Sequence, residues 1–183
     1  MVPERFTPVL AELAPLADRF RDGGHQLYLV GGTVRDLLVG LDNSERDIDL
    51  TTDARPDQIK RCLKGWADSV WTQGERFGTI GARRNARNGG TERIYEITTF
   101  RSEVYTDESR KPHVSFGESI DEDLKRRDFT INAMALEITG TRSPVLVDPH
   151  GGAMDLANRV LRTPMGPDVS FSDDPLRMLR AAR

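Results

Sequence analysis

An apolar run ending in two glycines sets what this chain can fold into. Leu27 to Val30 stops at Gly31-Gly32, and Val34, Leu37 and Leu38 then follow at helical spacing as far as Gly40; this predicts a strand, a glycine turn and a helix closed by a C-terminal glycine. After a polar loop comes Asp47-Ile48-Asp49-Leu50, where period-2 alternation puts Ile48 and Leu50 on one face and both aspartates on the other. The two carboxylates are then neighbours, with Cα atoms roughly 7 Å apart by strand rise.

Two carboxylates on one strand face beside a glycine turn have the makings of a two-metal phosphoryl-transfer site. Mg²⁺ takes hard oxygen ligands, and two ions about 3.5–4 Å apart are bridged by such a pair. Gly31 and Gly32 at a helix N-terminus let backbone N–H groups come up to phosphate oxygens with no Cβ in the way. Arg35, one turn into the helix, offers a bidentate phosphate clamp. Taken alone, an Asp-x-Asp pair more often describes two solvated acids on an edge strand, and a Gly-Gly turn only a turn. Their combination favours function.

Gly31-Gly32-Thr33-Val34-Arg35-Asp36 followed by Asp47-Ile48-Asp49 resembles the head-domain signature of class II, bacterial-type CCA-adding tRNA nucleotidyltransferases and poly(A) polymerases, in the polymerase β superfamily. Later segments extend the resemblance. Residues 77–101 read as a β-hairpin, with a turn rich in Asn and Gly from Asn85 to Gly90 and a return strand on which Ile94, Glu96, Thr98 and Phe100 share a face. Glu96 is thus an acid among partly buried residues, and a buried carboxylate needs a partner or a metal. On pattern alone, a cross-strand salt bridge to Arg83 or Arg84 and a metal-site role are equally open. Resemblance to the family's Glu-x-Thr-Thr-Phe-Arg strand implies that Glu96 is the third metal-site acid.

Residues 102–118 are polar and without period, so a flexible loop is expected, in the position of a mobile loop of the family. Ser119-Ile120-Asp121-Glu122 is a capping box that opens a helix running into Lys125-Arg126-Arg127-Asp128-Phe129-Thr130-Ile131-Asn132-Ala133. Consecutive cations are usually solvated surface. Here Asp128 caps a new turn right after them, which fixes Arg126 and Arg127 near a helix start where a phosphate can sit. The string resembles the family's Arg-Arg-Asp-Phe-Thr-x-Asn-Ala motif, which handles triphosphate and ribose, and it is the most specific match in the chain.

Val145 to Gly152 reads as a strand and tight turn that close the head, resembling the family's Asp-Pro-x-x-Gly segment; a glycine-rich phosphate cradle is the sharper alternative. Ser172-Asp173-Asp174-Pro175-Leu176-Arg177 starts a last helix, capped by Ser172 or Asp174, with Asp174, Arg177 and Arg180 on one face. A plain Asp–Arg pair accounts for that spacing. The resemblance is to the family's Glu-Asp-x-x-Arg nucleotide-reading helix, with Asp173 standing where Glu is usual.

Elsewhere the residues serve packing. Thr7-Pro8 reads as the cap and first position of a helix that Pro15 should kink or split, and Pro56 opens another with Ile59, Cys62, Leu63 and Trp66 on one face. Cys62, the only cysteine, is a small core residue at that spacing, and His25, His113 and His150 are scattered, so neither a disulfide nor a zinc site is expected. With a net charge of −3, any nucleic-acid surface must be a local patch. The N-terminus carries Glu4 and Arg5 with no long apolar stretch, so the expected location is the cytoplasm, with no membrane partner.

The expected fold is α/β (α+β), a polymerase β-like nucleotidyltransferase head with a small mixed sheet flanked by helices. The head would occupy residues 1–163, and 164–183 would begin a helical neck in a chain truncated within that helix. The resemblance implies template-independent addition of CMP and AMP, from CTP and ATP, to the tRNA 3′ end. Asp47, Asp49 and Glu96 would be catalytic ligands of two Mg²⁺ ions, and Gly31, Gly32, Arg35, Arg126 and Arg127 would hold the triphosphate. Asp128 and Asn132 would take the ribose, and Asp174 and Arg177, with Arg180, the base; tRNA would be held mainly by domains missing here. A poly(A) polymerase, or an enzyme adding only A or only C, uses the same head. Two further alternatives are a nucleotide-binding regulatory module without catalysis and a small-molecule nucleotidyltransferase, although the latter leaves the Arg-Arg-Asp-Phe-Thr and Asp-Asp-Pro-Leu-Arg segments without a reason.

Overall fold

The computed structural model describes residues 2–41, 47–85, 92–104, 113–117, 119–140 and 143–182. In chain order the elements are α1 (Thr7–Asp22), β1 (Leu27–Val30), α2 (Gly32–Val39), β2 (Ile48–Thr52), α3 (Pro56–Leu63), β3 (Ser69–Trp71), β4 (Thr79–Arg84) and β5 (Arg93–Thr99). They continue with β6 (Arg101–Val104), β7 (His113–Phe116), α4 (Ile120–Lys125), β8 (Ala135–Glu137), β9 (Val145–Val147), α5 (Gly152–Ala157), α6 (Pro167–Asp173) and α7 (Leu176–Ala182). A seven-stranded sheet runs in the order β3-β4-β5-β2-β1-β8-β9, and β6 and β7 form a separate ribbon. Within the large sheet β2 and β5 are parallel and the other pairs antiparallel, so the sheet is mixed, as expected.

Alternation along the central strands divides the sheet into two faces. Leu27 and Leu29, Ile48 and Leu50, and Tyr95 and Ile97 all join one apolar core with Leu13, Leu16 and Phe20 of α1 and Ile59 and Leu63 of α3. Tyr28, Val30 and Phe100 turn to the opposite side, where a smaller cluster with Leu124, Ala133 and Ala135 covers part of the sheet and leaves Asp49 and Glu96 exposed. The register between β2 and β5 sets Asp49 beside Glu96 on that second side. Glu12 of α1 ties the first face together, accepting from Tyr95 Oη at 2.6 Å and from both Arg93 Nε and Nη2 at 3.2 Å.

Several local expectations need correction. Thr7 is itself the first helical residue of α1 and Pro8 the second, because a 3₁₀ turn over Glu4–Phe6 delivers the chain already helical. α1 also runs unbroken through Pro15. That residue is exposed, while Leu13, Leu16, Ala17 and Phe20 hold the opposite side of the helix in the core, so solvent meets the carbonyl left without its N–H partner. β2 begins at Ile48, which leaves Asp47 just ahead of the strand. In the stretch 102–118, expected to be a loop, β6 (which begins one residue earlier, at Arg101) pairs with β7, with Arg101 opposite Phe116. Residues 105–112 and 118 of that stretch, and 86–90 of the Asn/Gly turn, lie outside the described residues.

Two elements carry no strong sequence signal. β3 is a three-residue edge strand packed where Trp71 crosses Gly81: a Cβ on Gly81 would stand 2.0 Å from the indole, so only glycine admits this approach. α6 is a short helix behind α7. Among the described residues, no helix is long and apolar enough to cross a membrane.

Candidate active site

The second side of the sheet, where Asp49 and Glu96 are exposed, holds a cleft of about 570 Å³. Its floor is the C-terminal end of β1, the start of β2 and the middle of β5, where Val30 runs into Gly31 and where Asp49 and Glu96 stand side by side. Gly31 has φ 71°, a left-handed conformation in which a side chain is strained, and a Cβ there would point between Arg127 Nη1 at 3.4 Å and Asp49 Oδ2 at 3.7 Å. Its absence keeps backbone, rather than a side chain, at the cation–carboxylate contact.

Arg35 enters from α2, Arg126, Arg127 and Asp128 from the end of α4, Asn132 from the following 3₁₀ turn, and Asp174, Arg177 and Arg180 from α7 and its cap. Every residue singled out in the sequence except Asp47 therefore lines this one cleft. Asp47 is exposed at the start of β2, close enough that its charge is felt at Asp49. Thr98 and Arg101 also line the cleft and were not singled out.

Glu96 corrects the hairpin reading in part. The return strand buries Tyr95, Ile97 and Thr99, so Glu96 occupies the open face with its carboxylate in solvent. Gly81, not an arginine, lies across from it; Arg83 instead reaches Ser69 and the neighbourhood of Glu92. The cross-strand salt bridge is excluded by register. Asp49 also meets solvent, yet burial of its carboxyl among the cleft walls pushes its pKa above the ordinary range; Arg127 opposes that rise, while the charges of Glu96 and Asp47 add to it. Acids crowded this way favour a cation between them. Among the described residues no three acids, histidines or cysteines form a metal cage by themselves. Two hard carboxylates left with room for phosphate oxygens and water fit a magnesium-like ion, which takes few protein ligands.

The cations of the cleft are each held from behind. Arg35 donates from Nε to Asp36 Oδ1 at 2.8 Å and from Nη1 to Asn132 Oδ1 at 2.7 Å, and Asp36 is buried. Arg126 and Arg127 share Asp123, a fully buried carboxylate of α4. Asn132 Nδ2 donates to Asp128 Oδ1 at 3.1 Å, and Arg180 Nη1 to Asp128 Oδ2 at 3.4 Å. Asn132 and Asp128 thus link Arg35 to Arg180 along one wall, with Asp36 bracing Arg35 at its far end. Asp36 and Asp123 were missed in the sequence because each sits beside a more conspicuous arginine; the available signal was an acid three and four residues before the Arg126-Arg127 pair.

The two caps behave as read. Ser119 Oγ accepts from Glu122 N–H at 3.3 Å, and Asp174 Oδ1 accepts from Leu176 N–H at 3.0 Å. The cap expected at Asp128 does not form: it accepts only the adjacent Phe129 N–H at 2.8 Å, and the turn that follows is 3₁₀, with Phe129 at the cap position and no side-chain cap bond. Arg177 is buried, its guanidinium donating from Nη1 to Ser170 Oγ and from Nη2 to the Arg126 carbonyl, both at 2.7 Å; only its backbone N–H reaches Asp174, at the carbonyl, so the side chains form no Asp–Arg pair. The phosphate-cradle alternative at Gly151-Gly152 fails: Asp148 itself takes the Gly152 and Ala153 N–H groups at 2.7 and 3.0 Å, and the segment is structural. Cys62 is buried, and burial raises its pKa, as suits a core thiol.

Residues 27–162 match the poly A polymerase head domain family. Among curated proteins, the CCA-adding enzyme of Lactobacillus helveticus is 42% identical over 181 residues, which is 98% of this chain and 41% of that protein. Among solved structures, a CCA-adding enzyme in its apo form II superposes with a TM-score of 0.80 at 34% identity, over 96% of this chain and 39% of that one. The Bacillus stearothermophilus CCA-adding enzyme in complex with CTP gives 0.73 at 33% identity, over 98% and 38%. The Thermotoga maritima CCA-adding enzyme complexed with tRNA gives 0.67 at 29% identity, over 98% and 37%. The chain spans about two fifths of the length of the curated relatives it matches.

Proposed function

Since the chain belongs to the poly A polymerase head domain family, we propose that it is the catalytic head of a nucleotidyltransferase that adds CMP and AMP, from CTP and ATP, to the 3′ end of tRNA. The observation that carries this reading is the pairing of Asp49 with Glu96 on the cleft floor, facing the Arg126–Arg127 pair. CCA-adding relatives, one with CTP and one with tRNA, support the choice of nucleotide and acceptor. Residues 1–163 form the head and 164–183 begin a neck, with the tRNA body held by further domains. The cytoplasm is the compartment this activity implies.

Asp49 and Glu96, with Asp47 beside them, would hold two Mg²⁺ ions, which when bound make the RNA 3′-hydroxyl a better nucleophile and neutralise the leaving pyrophosphate. The hydroxyl oxygen attacks the α-phosphorus, the bond to the β-phosphate oxygen breaks, and pyrophosphate departs. Arg126, Arg127 and Arg35, with the N–H groups at Gly31-Gly32, bind and orient the triphosphate. Asp128 and Asn132 take the ribose.

Asp174 and Arg177 read the base by polarity. An ionised Asp accepts and an Arg donates, which suits an amino group beside an unprotonated ring nitrogen. Cytosine and adenine present that edge, whereas uracil and guanine present a carbonyl beside a ring N–H. Each mismatch leaves a polar group unpaired at a cost of about 1–3 kcal/mol.

The test incubates the full-length protein with Mg²⁺, CTP, ATP and a tRNA ending before its last three nucleotides, and sequences the products. Addition of C, C and A is expected. Runs of A would make the protein a poly(A) polymerase, single A or C additions a partial enzyme, and absence of pyrophosphate release a nucleotide-binding module.

A further inference from the structure

Asp123 lies behind the cleft rather than in it. Its side chain is fully buried, and each carboxylate oxygen serves a different arginine: Oδ1 accepts from Arg126 Nη2 at 3.0 Å and Nε at 3.3 Å, and Oδ2 accepts from Arg127 Nη2 at 3.0 Å. Oδ1 also accepts the Arg101 backbone N–H at 3.3 Å, so the head of β6 fixes where the carboxylate sits. The helix that carries it is pinned at its start by the Ser119 cap. Asp123 is thus held by backbone on one side and offers charge on the other.

We propose that Asp123 is the positioning residue of the triphosphate seat, one carboxylate that sets the Arg126 and Arg127 guanidiniums side by side before any nucleotide arrives. The inference rests on the nucleotidyltransferase reading and deepens it. Two adjacent cations repel, and long arginine side chains left to themselves spread into solvent. A shared carboxylate cancels that repulsion, and the two cations with one anion keep a net positive charge to meet a polyphosphate. Both guanidiniums are only about one-fifth exposed, so what remains open faces the cleft. Rotamer freedom is then lost on folding and not on binding, which strengthens the grip on the ligand. Burial alone would raise the Asp123 pKa, but Arg127 and Arg126 together hold it below the ordinary carboxylate range, in keeping with a permanently charged anchor.

The experiment measures binding of inorganic tripolyphosphate, CTP and CMP, each with Mg²⁺, to the purified protein and to its Asp123→Asn and Asp123→Glu variants. Asp123→Asn keeps the shape but turns an amide N–H₂ toward a guanidinium. Binding of tripolyphosphate and CTP should weaken by roughly tenfold or more, since one arginine then meets a donor instead of an acceptor and both lose the shared negative charge. CMP binding should be unchanged, and Asp123→Glu should recover part of the loss by restoring the charge. Equal tripolyphosphate affinity in Asp123→Asn and the parent overturns the proposal, as does equal loss of CMP and tripolyphosphate. Should Asp123→Asn lack a cooperative melt, Asp123→Glu carries the comparison, its carboxylate displaced by one methylene: weaker tripolyphosphate with intact CMP binding supports the proposal, and unaltered tripolyphosphate binding overturns it. A parent that binds no CTP overturns the functional reading, and this inference with it.

Discussion

The two faces of β1, β2 and β5 carry opposite chemistry on alternate residues of one backbone. Ile48, Leu50 and Ile97 are sealed against α1 and α3, while their neighbours Asp49 and Glu96 stand in an open cleft where burial and neighbouring like charges work against ionisation of Asp49. One face supplies the stability that lets the other hold acids in an unfavourable arrangement. Because side chains alternate with a period of two, neighbouring positions contribute to different quantities, and substitutions at adjacent residues can separate them.

The largest separation is expected at Asp49. Asp49→Asn in the full-length protein should lower nucleotide incorporation by about three orders of magnitude or more, since it removes a charge from the proposed two-ion site. The variant should melt no lower than the parent, because a carboxyl whose pKa is raised in the fold gives no stability by ionising. Incorporation at the parental rate, followed by pyrophosphate release, would end the metal-site assignment. Ile97→Ala, next to Glu96, should do the converse. Truncating that fully buried side chain costs about 2–5 kcal/mol, seen as a lower denaturation midpoint, with CTP affinity of the folded fraction unaltered. Loss of CTP affinity in step with stability would mean that the faces are not independent.

The smallest effect sharpens the boundary between the faces, at Asp123. Its folded pKa is depressed, so the stability it contributes is complete above the unfolded value of about 3.9 and is lost as pH falls toward the folded one. The gap in melting temperature between parent and Asp123→Asn should therefore be level from about pH 7 to pH 5 and start to close below about pH 4. Thermal melts across that range check it, and a gap that stays constant down to pH 3 would contradict a charged anchor.

What could be read from the residues was local. The β1 run with its two glycines, the alternation at Asp49, the hairpin of β4 and β5 and the caps at Ser119 and Asp174 are patterns within a few residues, and each took the shape its pattern dictates. The parallel pairing of β2 with β5 is not such a pattern. It joins Asp49 to Glu96 across a helix and two strands, and only the resemblance put the two acids in one site. β3 was invisible because three residues show no period, and β6 with β7 because polar ribbon strands look like loop. Glu96 was placed on a partly buried face because Phe100, four residues past it and in phase, is buried, although the cleft opens between them at Thr98. Asp123 and Asp36 escaped for another reason: a buried acid acquires meaning only from the cations that fold over it.

The wall that runs from Asp36 through Arg35, Asn132 and Asp128 to Arg180 works as a calliper. One jaw is α2, at the glycine turn, and the other is α7. The bar between them is made of side-chain hydrogen bonds, with Arg177 adding a second fastening to the Arg126 carbonyl. Under the proposed function, a nucleotide lying between the jaws would be measured for length from phosphate to base by a single connected gauge. On that reading, exchange of a pyrimidine for a purine at one jaw would be registered at the other through the four side chains of Arg35, Asn132, Asp128 and Arg180.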